Sequence, residues 1–304
     1  MSLLVFDSGI GGLTILREVR VTLPGRRIVY VGDDAGFPYG EWPEDELVPR
    51  VVGIFERCLE SFEPELAIVA CNTASTAIMP ALRERFDLPI VGTVPPIKPA
   101  TARSASGLVS VLATPGTVRR PYVQELVARH AGEVEVNLVG STGLARLAEE
   151  HMQGQAIDVE RLRAELLPCF VEKDGRRTDI VVLGCTHYPF LVHEMRKIAP
   201  WPVDWIEPAE AIARRVRELV GEVPPDDLRN FRPDIALLTS GTPPPPLARL
   251  LSGFGLLPAD RPFRPLETPV RNFRPAQPAT DTVSGDRKPD SLLVPDDAGS
   301  PVRA

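Results

Sequence analysis

The chain has 304 residues, 43% of them apolar and 25% charged, which is enough to bury the core of one large domain or two ordinary ones. Asp and Glu outnumber Lys and Arg by 41 to 34, a net charge of -7, and this excludes a general nucleic-acid binder, whose affinity comes from basic neutralisation of phosphates. No run approaches a membrane span and the start carries no basic signal region, so the expectation is a cytoplasmic protein with no membrane and no nucleic-acid partner.

The first predicted strand, 2–6, leads through Asp7-Ser8-Gly9-Ile10-Gly11-Gly12 into a helix over 12–22. A dinucleotide-binding turn would need glycine at position 14, where the chain has Thr14, so that fingerprint fails even though Asp33 and Asp34 follow the second strand, 28–32. Asp7 has two readings, a helix N-cap and a proton partner at the sheet edge. Phe37-Pro38-Tyr39-Gly40 reads as a turn, either a plain loop or the wall of a ligand pocket. A helix over 44–62 and a strand over 66–70 follow, and that strand ends at Cys71, with Asn72 and Thr73 opening a helix over 74–86. After a strand at 89–93, the Pro-rich stretch Val94–Pro99 reads as a stiff crossing between two halves of the chain.

The second half echoes the first. A strand over 108–113 ends in Thr114, and Thr117 starts a helix over 117–131. A strand at 135–139 and helices at 142–152 and 158–172 come next; Glu149 and Glu150 end the first of these helices, where a solvated charge is the ordinary reading. A strand over 179–184 then ends at Cys185, Thr186 and His187, before a helix at 189–199, a strand at 203–206, a helix at 208–220 and a strand at 234–238. Such alternation predicts an α/β fold of two pseudo-symmetric lobes, each a mostly parallel sheet flanked by helices, with a site in the cleft between them. Lobe 1 is expected to span 1–95 plus 208–257 and lobe 2 to span 96–207. Residues 258–304 hold nine prolines and little periodicity, the composition of a disordered tail.

The four cysteines, at 58, 71, 169 and 185, are expected to be free thiols, and no Cys/His cluster suggests zinc. Cys58 and Cys169 lie inside helical apolar patterns and read as core. Cys71 and Cys185 stand where buried strands give way to small polar residues, at the sheet end where α/β proteins bind ligands. A helix N-terminus there is expected to lower the thiol pKa from about 8.5 towards neutrality. His187, two residues from Cys185, is a proton holder in reach of the thiol, whereas His130, His151 and His193 have no such company. The four lysines lie away from any strand end with a phosphate-cradling turn, so no pyridoxal and no other cofactor is expected.

In order along the chain, DSGIGG at 7–12, FPYG at 37–40, CNTAS at 71–75, GTVPP at 92–96, ATPGTV at 113–118, GCTHYP at 184–189 and TSG at 239–241 resemble the cofactor-independent aspartate/glutamate racemase superfamily, its glutamate racemases above all. The resemblance implies that Cys71 and Cys185 are acid/base groups on opposite faces of a substrate α-carbon, assisted by Asp7 and His187 respectively. It implies that Ser8, Pro38, Tyr39, Gly40, Asn72, Thr73, Thr117 and Thr186 bind the substrate, and it matches Glu149 to an acidic family position. Where many relatives carry a basic residue this chain has Gly36, and Arg120 stands at the position of a family serine. The implied activity is interconversion of L- and D-glutamate for peptidoglycan synthesis, with glutamate as small-molecule partner and a homodimer left open. Racemisation of aspartate or another acidic amino acid is the nearest alternative, and a non-catalytic amino-acid-binding regulator is the alternative from another class.

Overall fold

The first strand, β1 (Ser2–Asp7), is buried at every position, and its side chains alternate between two cores. Leu3 and Val5 enter one hydrophobic cluster and Leu4 and Phe6 another, the pattern of a parallel strand covered on both faces. The computed structural model describes residues 2–221 and 232–259.

Two parallel sheets organise the chain. In the first, β1 lies between β2 (Arg27–Gly32) and β3 (Leu66–Val69), with β4 (Ile90–Gly92) beyond β3 and β11 (Ile235–Leu238) and β12 (Leu257–Pro258) beyond β2. In the second, β5 (Leu108–Ala113) lies between β6 (Glu135–Gly140) and β9 (Ile180–Gly184), with β10 (Asp204–Ile206) outside β9. The order β4-β3-β1-β2 is thus repeated as β10-β9-β5-β6. In each sheet the order reverses beside the first strand, between β1 and β3 and between β5 and β9, and crevices at the carboxyl ends of such strands are where open α/β sheets bind ligands.

Helices cover both faces. On the first sheet, α1 (Leu13–Thr22) and α10 (Ala209–Val220) pack on the Leu3 side, and α2 (Glu44–Phe62) and α3 (Asn72–Arg85) on the Phe6 side. The Phe6 ring meets Phe55 of α2 edge-on at 5.3 Å, and truncating either ring to alanine costs about 3–5 kcal/mol. On the second sheet, α4 (Ile97–Arg103) and α6 (Pro121–His130) cover one face, and α7 (Leu144–Met152), α8 (Val159–Leu166) and α9 (Val192–Ile198) the other.

Several boundaries depart from the sequence expectation, mostly at prolines. The helix expected over 117–131 is two, α5 (Pro115–Val118) and α6, because Pro121 lacks the N–H that a continuous helix needs and instead sits in a first turn. The helix expected over 158–172 stops at Leu166; a 3-10 turn containing Pro168 and a short hairpin, β7 (Glu172–Lys173) with β8 (Arg176–Arg177), replace its end. The Pro-rich crossing runs into a helix, α4 starting at Ile97 after the N-cap Pro96, and α11 (Pro245–Gly253) starts in another proline run. The helix after Cys71 begins at Asn72, two residues earlier than expected. Of the Pro-rich segment 258–304, Pro258 belongs to β12 and Ala259 N–H donates to Ala236 O at 2.9 Å, while 260–304 lie outside the described residues. Among the described residues no helix is long and apolar enough to cross a membrane.

Candidate active site

The carboxyl ends of β1, β3, β5 and β9 bring the expected residues into one buried constellation. Asp7 is the last residue of β1, fully buried, with Oδ1 accepting from Gly9 N–H at 2.9 Å and Oδ2 accepting from Thr186 Oγ1 at 3.0 Å. It is not a helix cap: α1 is capped at Gly12 without any side-chain bond. Burial raises the Asp7 pKa, opposed by the charge of His187 and the bonds from Gly9 and Thr186.

Cys71 occupies the N-cap position of α3, and its Sγ lies 3.5 Å from Ser8 Oγ. The helix terminus does not bring this thiol to neutrality. Burial, then the nearby Asp7 charge, push Cys71 up to about 12, and the bonds from the Ala74 amide and Ser8 recover only part of that. The charge of Cys185 acts on it in the same direction, so the two sulfurs share one electrostatic environment. Cys58 and Cys169, read as core, are fully buried within hydrophobic clusters and are also raised to about 12 by burial. Because only thiolate reacts, alkylation of Cys71 by iodoacetamide, read by peptide mass spectrometry, is expected to speed up about tenfold per pH unit from pH 7 to 9 without levelling. A plateau below pH 8 would contradict the assignment.

Around Cys185 the chain builds a relay. His187 Nδ1 lies 3.8 Å from Cys185 Sγ, and its Nε2 lies 2.9 Å from Glu149 Oε1, which also accepts from Ile10 N–H at 2.8 Å. Burial alone would lower the His187 pKa, but its bonds to Cys185 and Glu149, and their charges, hold it well above the usual imidazole range. Glu149 is therefore not the solvated charge its helix-end position suggested; its carboxylate orients the buried histidine beside the thiol, as the acid does in acid–histidine–nucleophile arrays. Packing across the cleft is tight here, because a Cβ on Gly9 would come 2.2 Å from Glu149 Oε1.

The remaining residues close the constellation from both sheets. The Thr73, Thr114 and Thr117 hydroxyls form a triangle with edges of 2.9, 3.3 and 3.0 Å, joining the α3 terminus to the second sheet. Thr114 also caps α5, accepting from Thr117 N–H at 3.2 Å. Asn72 is buried with both amide atoms unbonded, a desolvation cost of about 1–3 kcal/mol per group that a polar ligand would remove. Pro38 precedes the 3-10 turn Tyr39–Glu41, and a Cβ on Gly40 would lie 3.2 Å from Thr114 Cβ, so this loop abuts the opposite sheet. The Tyr39 hydroxyl donates its proton to Asp33.

A family model described as Asp/Glu/Hydantoin racemase matches residues 14–216. The chain belongs to the Asp/Glu/Hydantoin racemase family. Among its similar relatives is a glutamate racemase of Brucella canis, 54% identical over 255 residues that make up 84% of this chain and 92% of the relative. The crystal structure of Escherichia coli glutamate racemase in complex with L-glutamate and the activator UDP-MurNAc-Ala superposes with a TM-score of 0.78 at 41% identity, covering 84% of this chain and 96% of that one. The Francisella tularensis glutamate racemase in complex with D-glutamate gives 0.65 at 25% identity, covering 83% and 92%.

Within this family member, sequence reasoning missed two supports of the constellation. Asp33, weighed only as a ribose-binding acid, receives the Tyr39 hydroxyl, Arg50 of α2 and Thr239 Oγ1. Thr14, noted only for breaking a glycine fingerprint, donates from Oγ1 to Gly11 O at 2.9 Å and faces Thr186 O at 3.3 Å, tying α1 to the turn that carries Cys185. The long-range bonds, Thr239 to Asp33 and Thr14 to Thr186, join residues 206 and 172 positions apart and leave no local pattern in the sequence.

Proposed function

We propose that the chain is a cofactor-independent glutamate racemase that moves a proton through the substrate α-carbon between Cys71 and Cys185. The observation that carries the reading is the pairing of two buried thiols at the switch points of two sheets with the same strand order, each with its own polar assistants. The 54%-identical glutamate racemase relative supports glutamate as the substrate.

In one direction Cys71, as thiolate, takes the α-proton from one face while the Cys185 thiol delivers a proton to the other; the reverse reaction exchanges the roles, so each turnover leaves the opposite sulfur charged. Asp7 assists at Cys71, and the Glu149–His187 pair assists at Cys185. A substrate ammonium beside Cys71 adds a positive charge next to the thiol, which offsets the burial and Asp7 effects and makes thiolate accessible. Keeping that ammonium protonated and aiming the Asn72 amide, Thr73, Thr117, Thr186 and Ser8 at the carboxylates lowers the energy of the carbanion-like state. The reading includes supply of D-glutamate for peptidoglycan precursors.

The test is L-glutamate in heavy water without pyridoxal phosphate, followed by circular dichroism and proton NMR. Optical activity is expected to vanish as deuterium enters the α-position. Faster turnover of aspartate would replace glutamate as substrate, and binding without deuterium entry would replace catalysis with sensing.

A further inference from the structure

Asp33 follows β2 with a fully buried carboxylate on which three side chains converge. Arg50 donates from Nε to Oδ2 and from Nη2 to Oδ1, both at 2.6 Å; Thr239 Oγ1 donates to Oδ1 at 2.5 Å; the Tyr39 hydroxyl donates to Oδ2. The Arg50 guanidinium also lies over the Trp42 ring, 5.3 Å from its centroid, and Trp42 Nε1–H donates to Gly36 O at 2.8 Å. One bidentate ion pair thus ties down the loop 36–42 at its start, middle and end. That loop carries Pro38, Tyr39 and Gly40, and its Gly40 carbonyl lies 3.1 Å from where a Cβ on Gly116 of α5, the helix that follows β5, would be.

Position 36 controls access for the guanidinium. A Cβ on Gly36 would stand 2.7 Å from Arg50 Nε and 2.7 Å from Asp33 Oδ2, closer than real side-chain carbons approach. Its φ is outside the left-handed range, so the backbone conformation does not itself demand glycine. The missing side chain makes room for an arginine that comes from a different element, 14 positions away in sequence.

We propose that Arg50 is a positioning residue for substrate binding: passing through the space Gly36 leaves open, it locks the 36–42 loop onto Asp33 so that Tyr39 and Gly40 meet the opposite sheet in the arrangement that receives the substrate. The proposal rests on reading the cleft as an amino-acid site. Without Arg50, Asp33 is a buried carboxylate that has lost its counter-charge, and the loop loses the anchor shared by Tyr39 and Trp42.

Hydrogen exchange by mass spectrometry on the full chain, with glutamate kinetics, tests this. Arg50→Ala is expected to speed exchange within 33–42 about tenfold relative to the rest of the chain. It is expected to raise KM about tenfold while kcat stays within about threefold, the signature of lost positioning before chemistry. Gly36→Ala is expected to reproduce both effects by displacing the guanidinium, and the double variant to be no worse than Arg50→Ala, a non-additivity that neighbours in one network show. Arg50→Lys, which keeps a charge, is expected to recover part of the KM. Unchanged exchange in 33–42, additive losses in the double variant, or a loss confined to kcat would overturn the proposal. If the unaltered chain fails to racemise glutamate, the functional reading falls, while exchange and additivity still judge Arg50. If Arg50→Ala does not fold, Gly36→Ala and Arg50→Lys carry the same comparison.

Discussion

Replacing Cys71 or Cys185 by serine is expected to reduce glutamate racemisation by at least about a thousandfold, because each substitution removes one of two proton carriers and general acid–base groups contribute about 10²–10⁴ each. A serine hydroxyl in this buried setting ionises far less readily than a thiol, so size and hydrogen bonding are kept while basicity is lost. The two single variants mixed together should also fail to racemise, since both sulfurs must flank one substrate in one cleft. Loss of optical activity followed by circular dichroism measures the effect. Wild-type racemisation by either variant would refute the two-thiol sequence.

Gly11→Ala is expected to cost about 10²–10³ in kcat/KM while the fold persists, since displacements near 1 Å at a reacting constellation cost about a hundredfold. A Cβ at this position would lie 2.4 Å from Thr186 Oγ1 and 2.5 Å from His187 Nδ1. One added carbon therefore pushes on the hydroxyl that bonds Asp7 and on the ring nitrogen facing Cys185. The comparison variant is Gly253→Ala at the last residue of α11, where nothing lies within 4 Å of the new carbon and helix propensity favours alanine by less than the ~1 kcal/mol of a helix interior. That variant should keep full activity and unfold at a slightly higher temperature. Equal activity in both alanine variants would show that the Gly11 contact does not matter for turnover.

The same glycine illustrates how sequence and structure divide the account. As a string, Gly9, Gly11 and Gly12 invited comparison with a phosphate-binding turn, which Thr14 excluded. In the structure Gly9 and Gly11 are small because groups from the far side of the cleft, Glu149, Thr186 and His187, press against this backbone. Nothing within the segment announces those neighbours.

Where an element is set by its own burial, the chain reads directly. β1, β3, β5 and β9 are apolar at nearly every position because both faces are covered, and the switch to small polar residues at Asp7, Cys71, Thr114 and Cys185 marks the sheet edge. That local signal was enough for the α/β class, for singling out the two of four cysteines that stand at strand ends, and for the order of motifs. Helix ends were less clear, because a proline such as Pro121 can stop one helix or start another, and only the path of the chain decides.

By itself, then, the sequence determined which strands are buried and which side chains stand at their carboxyl ends, since burial on two faces demands continuous apolar runs. Tertiary structure alone decided how those side chains behave. Glu149 became the partner of His187, Arg50 reached Asp33 past Gly36, and Cys71 was pushed up to about 12 instead of towards neutrality. Each outcome depends on which distant segments exclude water from a group and which charge they set beside it, and no local run of residues carries that information.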